Sequence, residues 1–434
     1  MLPIVTPKEM GAIDRASATP VDVLIGRAGA AVAVAAIAMV HGAYGKRVTI
    51  IAGKGNNGAD GRSAAVVLRR SGVRCTVLDA ADVTPRVRLP ASDLVIDAAY
   101  GTGFRGDYVA PDPRGAPVLA VDIPSGVDGL TGEAGAGAVQ ADATLTFGAL
   151  KPGLVLQPGR QHAGVVTVAD LGLDCSRATA HVLTASDVAS WLPVRPVDSH
   201  KWKSAVWVVA GSPGMTGAAA LAARGAQRAG AGYVRTSTPG AGVGATDGPL
   251  EAVNVELPPT GWADEVLKTL SRFAAIVVGP GLGVSEGTAF EVCELVARAH
   301  TPLVIDGDGI TALGLAWRSP EVAPIVLTPH DGEAERLTDF PPGPDRFAAA
   351  RQLSQTTGTI VVLKGPTTVV ASPGGTAVAI TTGDVRLATA GTGDVLSGIV
   401  AALLAQGVPP LRAAAAAAWL HGRASPLGPA RGLV

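Results

Sequence analysis

The sequence predicts two fused α/β domains, each a largely parallel sheet with helices packed on it. Three observations point there. The chain has 434 residues, which at roughly 100–200 residues per domain means two or three domains. From Lys46 onward, short β-branched runs at 47–52, 74–79, 93–99, 116–123, 142–147 and 164–171 alternate with Gly-rich turns and Ala-rich segments. This is the pattern of βαβ units feeding a parallel sheet. The pattern halts near Leu173 and resumes near Ser204, with runs at 205–211, 232–238, 274–281, 301–309, 323–329, 359–366, 367–372 and 376–382. The stretch between carries prolines and several Ser/Thr but no sustained strand, as inter-domain joints do. The expected division is 1–175 for the first domain, 176–200 for a linker that includes the start of the second, and 181–434 for the second domain.

Composition narrows the function. An apolar share of 47 % with 56 glycines and 32 prolines is that of a globular chain, below the roughly 25–30 % Gly plus Pro of low-complexity sequence. Lys and Arg number 35 against 36 Asp and Glu, a net charge of -1. No surplus of positive charge exists to grip a phosphate backbone or an anionic bilayer, so neither nucleic acid nor membrane is an expected partner. Cys75, Cys175 and Cys293 stand far apart, without the spacing of a disulfide framework or a structural zinc site. A cytoplasmic homo-oligomer is expected. The apolar run Ala28 to Val40 is shorter than the about 20 residues a bilayer span needs and reads as a buried helix, and the first ten residues lack the n- and h-regions of a secretory signal. Arg412 to Leu420, almost all alanine, is a strong helix former expected in the core.

Chemistry concentrates where strands end. Gly53, Gly55 and Gly58 form G-x-G-x-x-G directly after the first β-branched run. Such glycines let backbone N–H groups and the following helix N-terminus approach a diphosphate, so the first domain reads as Rossmann-like. Asp79 lies about 20 residues further on, where a carboxylate meets a ribose hydroxyl; alternatively the glycines serve only tight βα packing. Asp97, followed by Gly101, Gly103 and Gly106, and Asp122, followed by Ser125 and Asp128, also end runs. Ligands bind outside the carboxyl ends of such strands. Asn57, Asp97 and Ser125 supply hard oxygens that suit a monovalent or divalent cation.

The segments GKGNNGADG, DAAYGTGFRGD, VDIPSGVDGLTG and TFGALKPGLVLQPGRQHAGVVTVADLGL resemble the NAD(P)H-hydrate epimerase domain over about residues 1–175. The resemblance implies interconversion of the R and S epimers of hydrated nicotinamide cofactor. It places Asn56, Asn57, Gly58, Ala59 and Asp60, then Gly101, Thr102, Gly103, Phe104, Arg105, Gly106 and Asp107, with Asp122, around the substrate, and Asn57, Asp97 and Ser125 around potassium. Members usually carry glycine where this chain has Ala59, which is compatible only with a backbone that avoids positive φ. Epimerisation needs a group beside the hydrated carbon that can donate and accept a proton, and Asp122 is the expected one. The alternative is a carboxylate that only ligands the cation or caps a turn.

In the second half no G-x-x-x-x-G-K-[ST] occurs, which excludes a P-loop. Gly391, Gly393 and Asp394 instead open an apolar helical segment. Free N–H groups there can hold a phosphoryl group as charge builds, and Asp394 can take the proton of an attacking hydroxyl or merely cap the helix. VVGPGLG supplies Gly279, Gly281 and Gly283, VIDGDGI Asp306 and Asp308, TPHDGE His330 and Glu333, and LKGPTT Lys364 to Thr368. His330 as an ordinary hydrogen-bonded side chain and Lys364 as a solvated one are the plain alternatives.

Together with GSPGMTGAAALAARGAQRAGAGYV and AGTGDVLSGI, these segments are similar to the NAD(P)H-hydrate dehydratase domain of the ribokinase-like superfamily, over about residues 181–434. The resemblance implies dehydration of the S epimer to NAD(P)H at the expense of ADP, giving AMP and phosphate, with magnesium at the phosphates. Lys364, Gly365, Pro366, Thr367, Thr368 and Gly393 would hold the nucleotide, Asp394 would be the base, and Ala218, Gly283 and His330 would line the substrate pocket. Members commonly read TPHPGE, so Asp331 adds a negative charge beside that pocket; they also tend to run on with a last helix beyond the Val434 position. The rival reading is a ribokinase-like small-molecule kinase whose N-terminal domain binds a dinucleotide without turning it over.

Overall fold

In a computed structural model of the chain, residues 1–104, 106, 108–242 and 248–429 are described; Arg105 and Asp107 lie outside them. Two compact units result, Leu2–Ala180 and the residues from His181 onward.

The first unit opens with β1 (Leu2–Ile4) and α1 (Pro7–Ala16). Thr6 and Glu9 form a capping box, with the Glu9 N–H donating to Thr6 Oγ1 at 3.2 Å and the Thr6 N–H to Glu9 Oε2 at 2.7 Å. Pro7 stands at the first helical turn, where its missing N–H costs nothing. There follow α2 (Val21–Met39), β2 (Arg47–Ala52), α3 (Asn56–Arg70), β3 (Arg74–Asp79), β4 (Leu94–Ala98), β5 (Val118–Val121), β6 (Ala143–Phe147), α4 (Gly159–Ala163) and β7 (Val165–Ala169). All six expected runs are strands of one parallel sheet, ordered β3-β2-β4-β5-β6-β7. Because β3 and β4 flank β2 on opposite sides, the chain reverses direction there and leaves a crevice at the strands' carboxyl ends.

Strand alternation sorts the core. Ile50, Ile96 and Leu119 pack with Ala28, Val32 and Ala36 of α2 and Ala64, Ala65 and Leu68 of α3. Ile51, Val95 and Ala120 point the other way, where loop residues Val83, Leu89, Tyr108 and Val139 close the face. Helix α2 begins before the apolar run of the sequence and, at 19 residues, has the length and apolarity of a membrane span. Only one stripe of it is buried, so it is a surface-packed helix whose outer face carries exposed Val23 and Val34.

In the stretch expected to be a joint, β8 (Ala180–Val182) and α5 (Ala185–Trp191) form. The second unit continues through β9 (Ala205–Val209), α6 (Gly217–Arg228), β10 (Tyr233–Ser237), β11 (Val253–Asn254), α7 (Trp262–Leu270), β12 (Ala275–Val278), α8 (Glu286–Arg298), β13 (Leu303–Ile305) and α9 (Asp308–Leu313). Next come β14 (Ile325–Leu327), α10 (Asp331–Thr338), α11 (Arg346–Thr357), β15 (Ile360–Leu363), β16 (Thr368–Ala371), β17 (Ala377–Ile380), α12 (Thr392–Ala405) and α13 (Pro410–Ala424). The sheet order runs β8-β17-β16-β15-β14-β13-β12-β9-β10-β11. Its pairings are parallel from β11 to β15, but β15, β16 and β17 pair antiparallel. The reason is length: a parallel crossover takes a dozen or more residues, and the KGPT link between β15 and β16 is far shorter.

Alanine lets the second unit's helices approach closely. Buried Ala413 to Ala418 of α13 and Val400, Ala401 and Leu404 of α12 pack with Ala219, Ala222 and Ala226 of α6 against Val206, Val277 and Val326. At Gly398 a Cβ would overlap the Ala222 carbonyl and press on the Ala226 nitrogen, so overpacking outweighs the helix propensity gained by alanine. Gly398→Ala is expected to destabilise this unit by about 1–3 kcal/mol; a denaturant midpoint at or above wild type would contradict this packing.

Candidate active sites

At the carboxyl ends of β2, β4, β5 and β6 the first unit holds a cavity of about 750 Å³. It is lined by Lys54 to Asn57, Asp60, Ala99 to Phe104, Asp122 and Lys151, with Asp14 reaching it from α1. The glycine cluster shapes one wall: Gly55 caps α3, and a Cβ at Gly58 would overlap the Gly53 carbonyl. Ala59 lies inside α3 and is not among the positive-φ residues, so the backbone tolerates its side chain. The expected ribose partner, Asp79, does not line this cavity; its carboxylate meets Arg62 at 3.5 Å and accepts from the Ala81 N–H. Arg62 also donates to the Gly53 carbonyl, which ties strand end to helix.

Asp122 sits just past β5 with φ 66°, a left-handed conformation costly for a non-glycine residue and concentrated at functional positions. Lys151 holds it there. Its Nζ, 1 % exposed, donates to Asp122 Oδ1 at 2.6 Å, to Thr146 Oγ1 at 2.8 Å and to the Phe147 carbonyl at 3.0 Å. Three acceptors satisfy the ammonium's three protons. Burial raises the Asp60 carboxyl to about 8, helped by the negative Asp122 and Asp14.

Of the oxygens expected to hold a cation, those of Asp97 and Ser125 meet. Asp97, fully buried, accepts from the Ser125 N–H at 2.8 Å and Ser125 Oγ at 2.7 Å, and from the Ala99 N–H. Burial raises its pKa to about 6, although these hydrogen bonds work against the rise. Asn57 is buried with neither Oδ1 nor Nδ2 partnered. An orphaned amide oxygen, a carboxylate and a hydroxyl are donor chemistry suited to a hard monovalent or divalent cation.

In the second unit the network centres on Asp306, at the end of β13 and 2 % exposed. It accepts from Lys364 Nζ at 2.9 Å and from Ser397 Oγ at 2.6 Å. Burial pushes its pKa up, but Lys364 and these bonds prevail and hold it below the usual carboxylate range. Lys364 also lies 3.6 Å from Glu333, and these carboxylates hold its pKa above normal despite burial. Gly391, with φ 91°, caps α12, so the amides of Thr392, Gly393 and Asp394 open the helix. A Cβ on Gly393 would lie 3.5 Å from Lys364 Nζ and 3.8 Å from Asp306, which brings the helix mouth, lysine and carboxylate together. Asp394 is raised to about 7, first by burial and next by Asp306, with Lys364 acting in the opposite sense.

The remaining expected residues surround this centre. Thr367 is buried, Thr368 half-buried, and Gly365 and Pro366 exposed at the turn between β15 and β16. Ala218 opens α6 beside Gly281, and the Gly283 N–H donates to Asp308 at 2.8 Å. His330, 57 % exposed at its side chain, caps α10: its Nδ1 accepts from the Glu333 N–H, and its own N–H donates to Glu333. The charge of Asp331 is taken up by Arg346 at 2.6 Å, which also donates to the Lys364 carbonyl at 2.8 Å. Sequence reasoning assigned no role to Asp14, Lys151 or Arg346, and none to Asp306 beyond its strand-end position. Lys151, four residues after the run ending at Phe147, carried a usable signal; Asp14 carried none.

Residues 206–432 match the NAD(P)H-hydrate dehydratase family, and residues 21–89 and 78–153 the YjeF-related protein N-terminus. The chain is 37 % identical over 419 residues to the bifunctional NAD(P)H-hydrate repair enzyme Nnr of Mycobacterium leprae, covering 90 % of this chain and 85 % of the relative. To the Nnr of Moorella thermoacetica it is 35 % identical over 489 residues, covering 97 % and 91 %. A solved ADP/ATP-dependent NAD(P)H-hydrate dehydratase from Bacillus subtilis, co-crystallized with ATP/Mg2+, is 31 % identical with a TM-score of 0.51, over 57 % of this chain and 88 % of that one. With a family match in each half and relatives covered over most of their length, the chain belongs to the bifunctional NAD(P)H-hydrate repair enzyme family.

Proposed function

We infer that this chain returns hydrated nicotinamide cofactor to NAD(P)H in two steps: its first unit equilibrates the R and S epimers, and its second dehydrates the S epimer with ADP, giving AMP and phosphate. The observation that carries the reading is that each unit gathers, at its sheet's carboxyl edge, a lysine ion-paired to carboxylate, buried for Lys151 and half-buried for Lys364, and a neighbouring carboxyl whose pKa is pushed to about neutrality or above.

In the second unit the ring hydroxyl is a poor leaving group. Asp394 accepts its proton as the hydroxyl oxygen attacks the terminal phosphorus of the nucleotide. Lys364, the turn Gly365 to Thr368 and the amides at Gly393 hold the phosphates, and Ala218, Gly283 and His330 border the nicotinamide end. The bond from that phosphorus to its bridging oxygen breaks and AMP leaves; phosphate then departs with the carbon–oxygen pair, and the neighbouring ring carbon gives up a proton to solvent as its C–H pair forms the ring double bond. Among the described residues no three His, Cys, Asp or Glu side chains form a metal cage, which fits magnesium held chiefly by phosphates and water; when bound it offsets phosphoryl charge. In the first unit Asn57, Asp97 and Ser125 hold potassium, which supplies a fixed positive charge there, while Asn56 to Asp60 and the described residues of Gly101 to Gly106 border the substrate beside Asp122. The three free thiols suit the cytoplasm.

Asp122→Asn is expected to stop conversion of isolated R epimer to S, followed chromatographically, while leaving binding largely intact; normal epimerisation would remove Asp122 from the reaction. Asp394→Asn should lower dehydration by about 10²–10⁴-fold with epimerisation preserved. Because the base acts ionised, dehydration in the wild type should fall as pH drops through about 7, read as recovery of NADH absorbance. Exchanging potassium for tetramethylammonium should depress epimerisation and leave dehydration unchanged; equal rates in both salts would argue against the cation site.

A further inference from the structure

The first cavity contains more carboxyl groups than one proton-transfer residue requires. Asp14 on α1, Asp60 on α3 and Asp122 after β5 all line it. Lys151 is committed to Asp122 at 2.6 Å, and among the described residues neither Asp14 nor Asp60 has a salt-bridge partner. Arg62, on the same helix as Asp60, is occupied by the Gly53 carbonyl and Asp79, and among the described residues Lys54 and Lys151 are the cations lining the cavity.

The stereochemistry of the reaction asks for two groups. Water adds to the nicotinamide ring so that the hydroxyl rests on the carbon beside the ring nitrogen, the position where nitrogen stabilises a cation. To invert that carbon, the hydroxyl must leave from one face and water must return to the other. A single carboxylate clamped to a buried lysine serves one face.

We propose that Asp60 is the proton donor of the epimerisation, that Asp14 is a positioning residue that keeps it in that role, and that Asp122, on a different element of the cavity lining, is the ionised partner. The proton of Asp60 passes to the hydroxyl oxygen, and the carbon–oxygen bond breaks with its pair on oxygen, releasing water. The nitrogen lone pair forms the carbon–nitrogen double bond of an iminium cation. Water then bonds to the same carbon from the opposite face, the double-bond pair returns to nitrogen, and the surplus proton goes to Asp122. Nothing is oxidised or reduced, and the reverse reaction exchanges the two roles.

Electrostatics supports the division. Asp60 is 8 % exposed and is raised to about 8 by burial, by Asp122 and by Asp14, in that order, so it carries a proton at neutral pH. Asp14, exposed on α1, is itself raised by partial burial and Asp122, with Lys151 and Arg15 opposing. Separation of two neighbouring carboxyls into acid and base by their surroundings is a recurrent catalytic device.

This inference rests on the reading of the first unit as an epimerase, and the full-length chain tests both separately. Wild type should convert isolated R epimer to S, with a rate that falls as pH rises through about 8; no conversion at any pH would sink the parent reading. Given conversion, Asp60→Asn should lower kcat by about 10²–10⁴-fold with KM and dehydration of the S epimer little changed, and Asp60→Glu should restore part of the rate. Asp14→Asn should keep activity at low pH and move the basic limb to lower pH, because one source of negative charge beside Asp60 is gone. An Asp60→Asn rate within tenfold of wild type overturns Asp60 as the donor, and an unmoved limb in Asp14→Asn overturns the part given to Asp14.

Discussion

An ammonium group taken out of water costs several kcal/mol unless a carboxylate and further acceptors meet it, and this chain meets that constraint once in each unit. Lys151 is surrounded by Asp122, Thr146 and the Phe147 carbonyl; Lys364 reaches Asp306 and Glu333. Because Asp122 follows β5 while Thr146 and Phe147 lie on β6, and Asp306 follows β13 while Glu333 lies on α10, every clamp also fixes the relative position of these elements. In the first unit it joins β5 to the loop after β6. In the second it joins β13, α10 and β15, and Ser397 extends the link into α12. The geometry of each site is therefore inherited from a charge that cannot be left unpaired.

Lys151 pairs with one carboxylate and Lys364 with two, and each leaves a further carboxyl in a partly desolvated place. This excess sets the proton chemistry. Asp60 reaches about 8 and Asp394 about 7 for the same first cause, burial, followed by the negative neighbour that the lysine has fixed nearby. The difference lies in the lysine's reach: Lys364 pulls Asp394 down, whereas no cation is among the groups that set Asp60. One carboxyl thus stays protonated at neutral pH while the other is poised to give up or take a proton.

Strands and glycine turns were legible because their signals are local. A β-branched run followed by glycine reads as a strand end wherever it sits, and all fourteen such runs became strands. Asn57, Asp97 and Ser125 could be found because each falls near such an end, and Asp394 because it opens an apolar helical run behind two glycines. What stayed hidden is non-local. Asp14 enters the first cavity only because Val5 and Leu150 hydrogen-bond and bring α1 alongside, and no spacing announces that. Asp79 has the spacing of a ribose ligand, yet Arg62, one turn into α3, reaches it first. Even the antiparallel tail of the second sheet was a matter of arithmetic, since the links flanking β16 are too short for crossovers.

The two departures from the family pattern show what a site tolerates. Glycine is usual at the position of Ala59, but the helix is already under way there, so the conformational freedom of glycine is not used and a methyl group fits. Asp331 stands where the family pattern has proline and brings a charge, and Arg346 pairs with that charge at 2.6 Å while its second nitrogen donates to the Lys364 carbonyl. The substitution therefore does not add its full charge to the pocket. It couples the start of α10 to the turn that begins at Lys364, and at both positions the constraint preserved is local geometry and charge balance rather than residue identity.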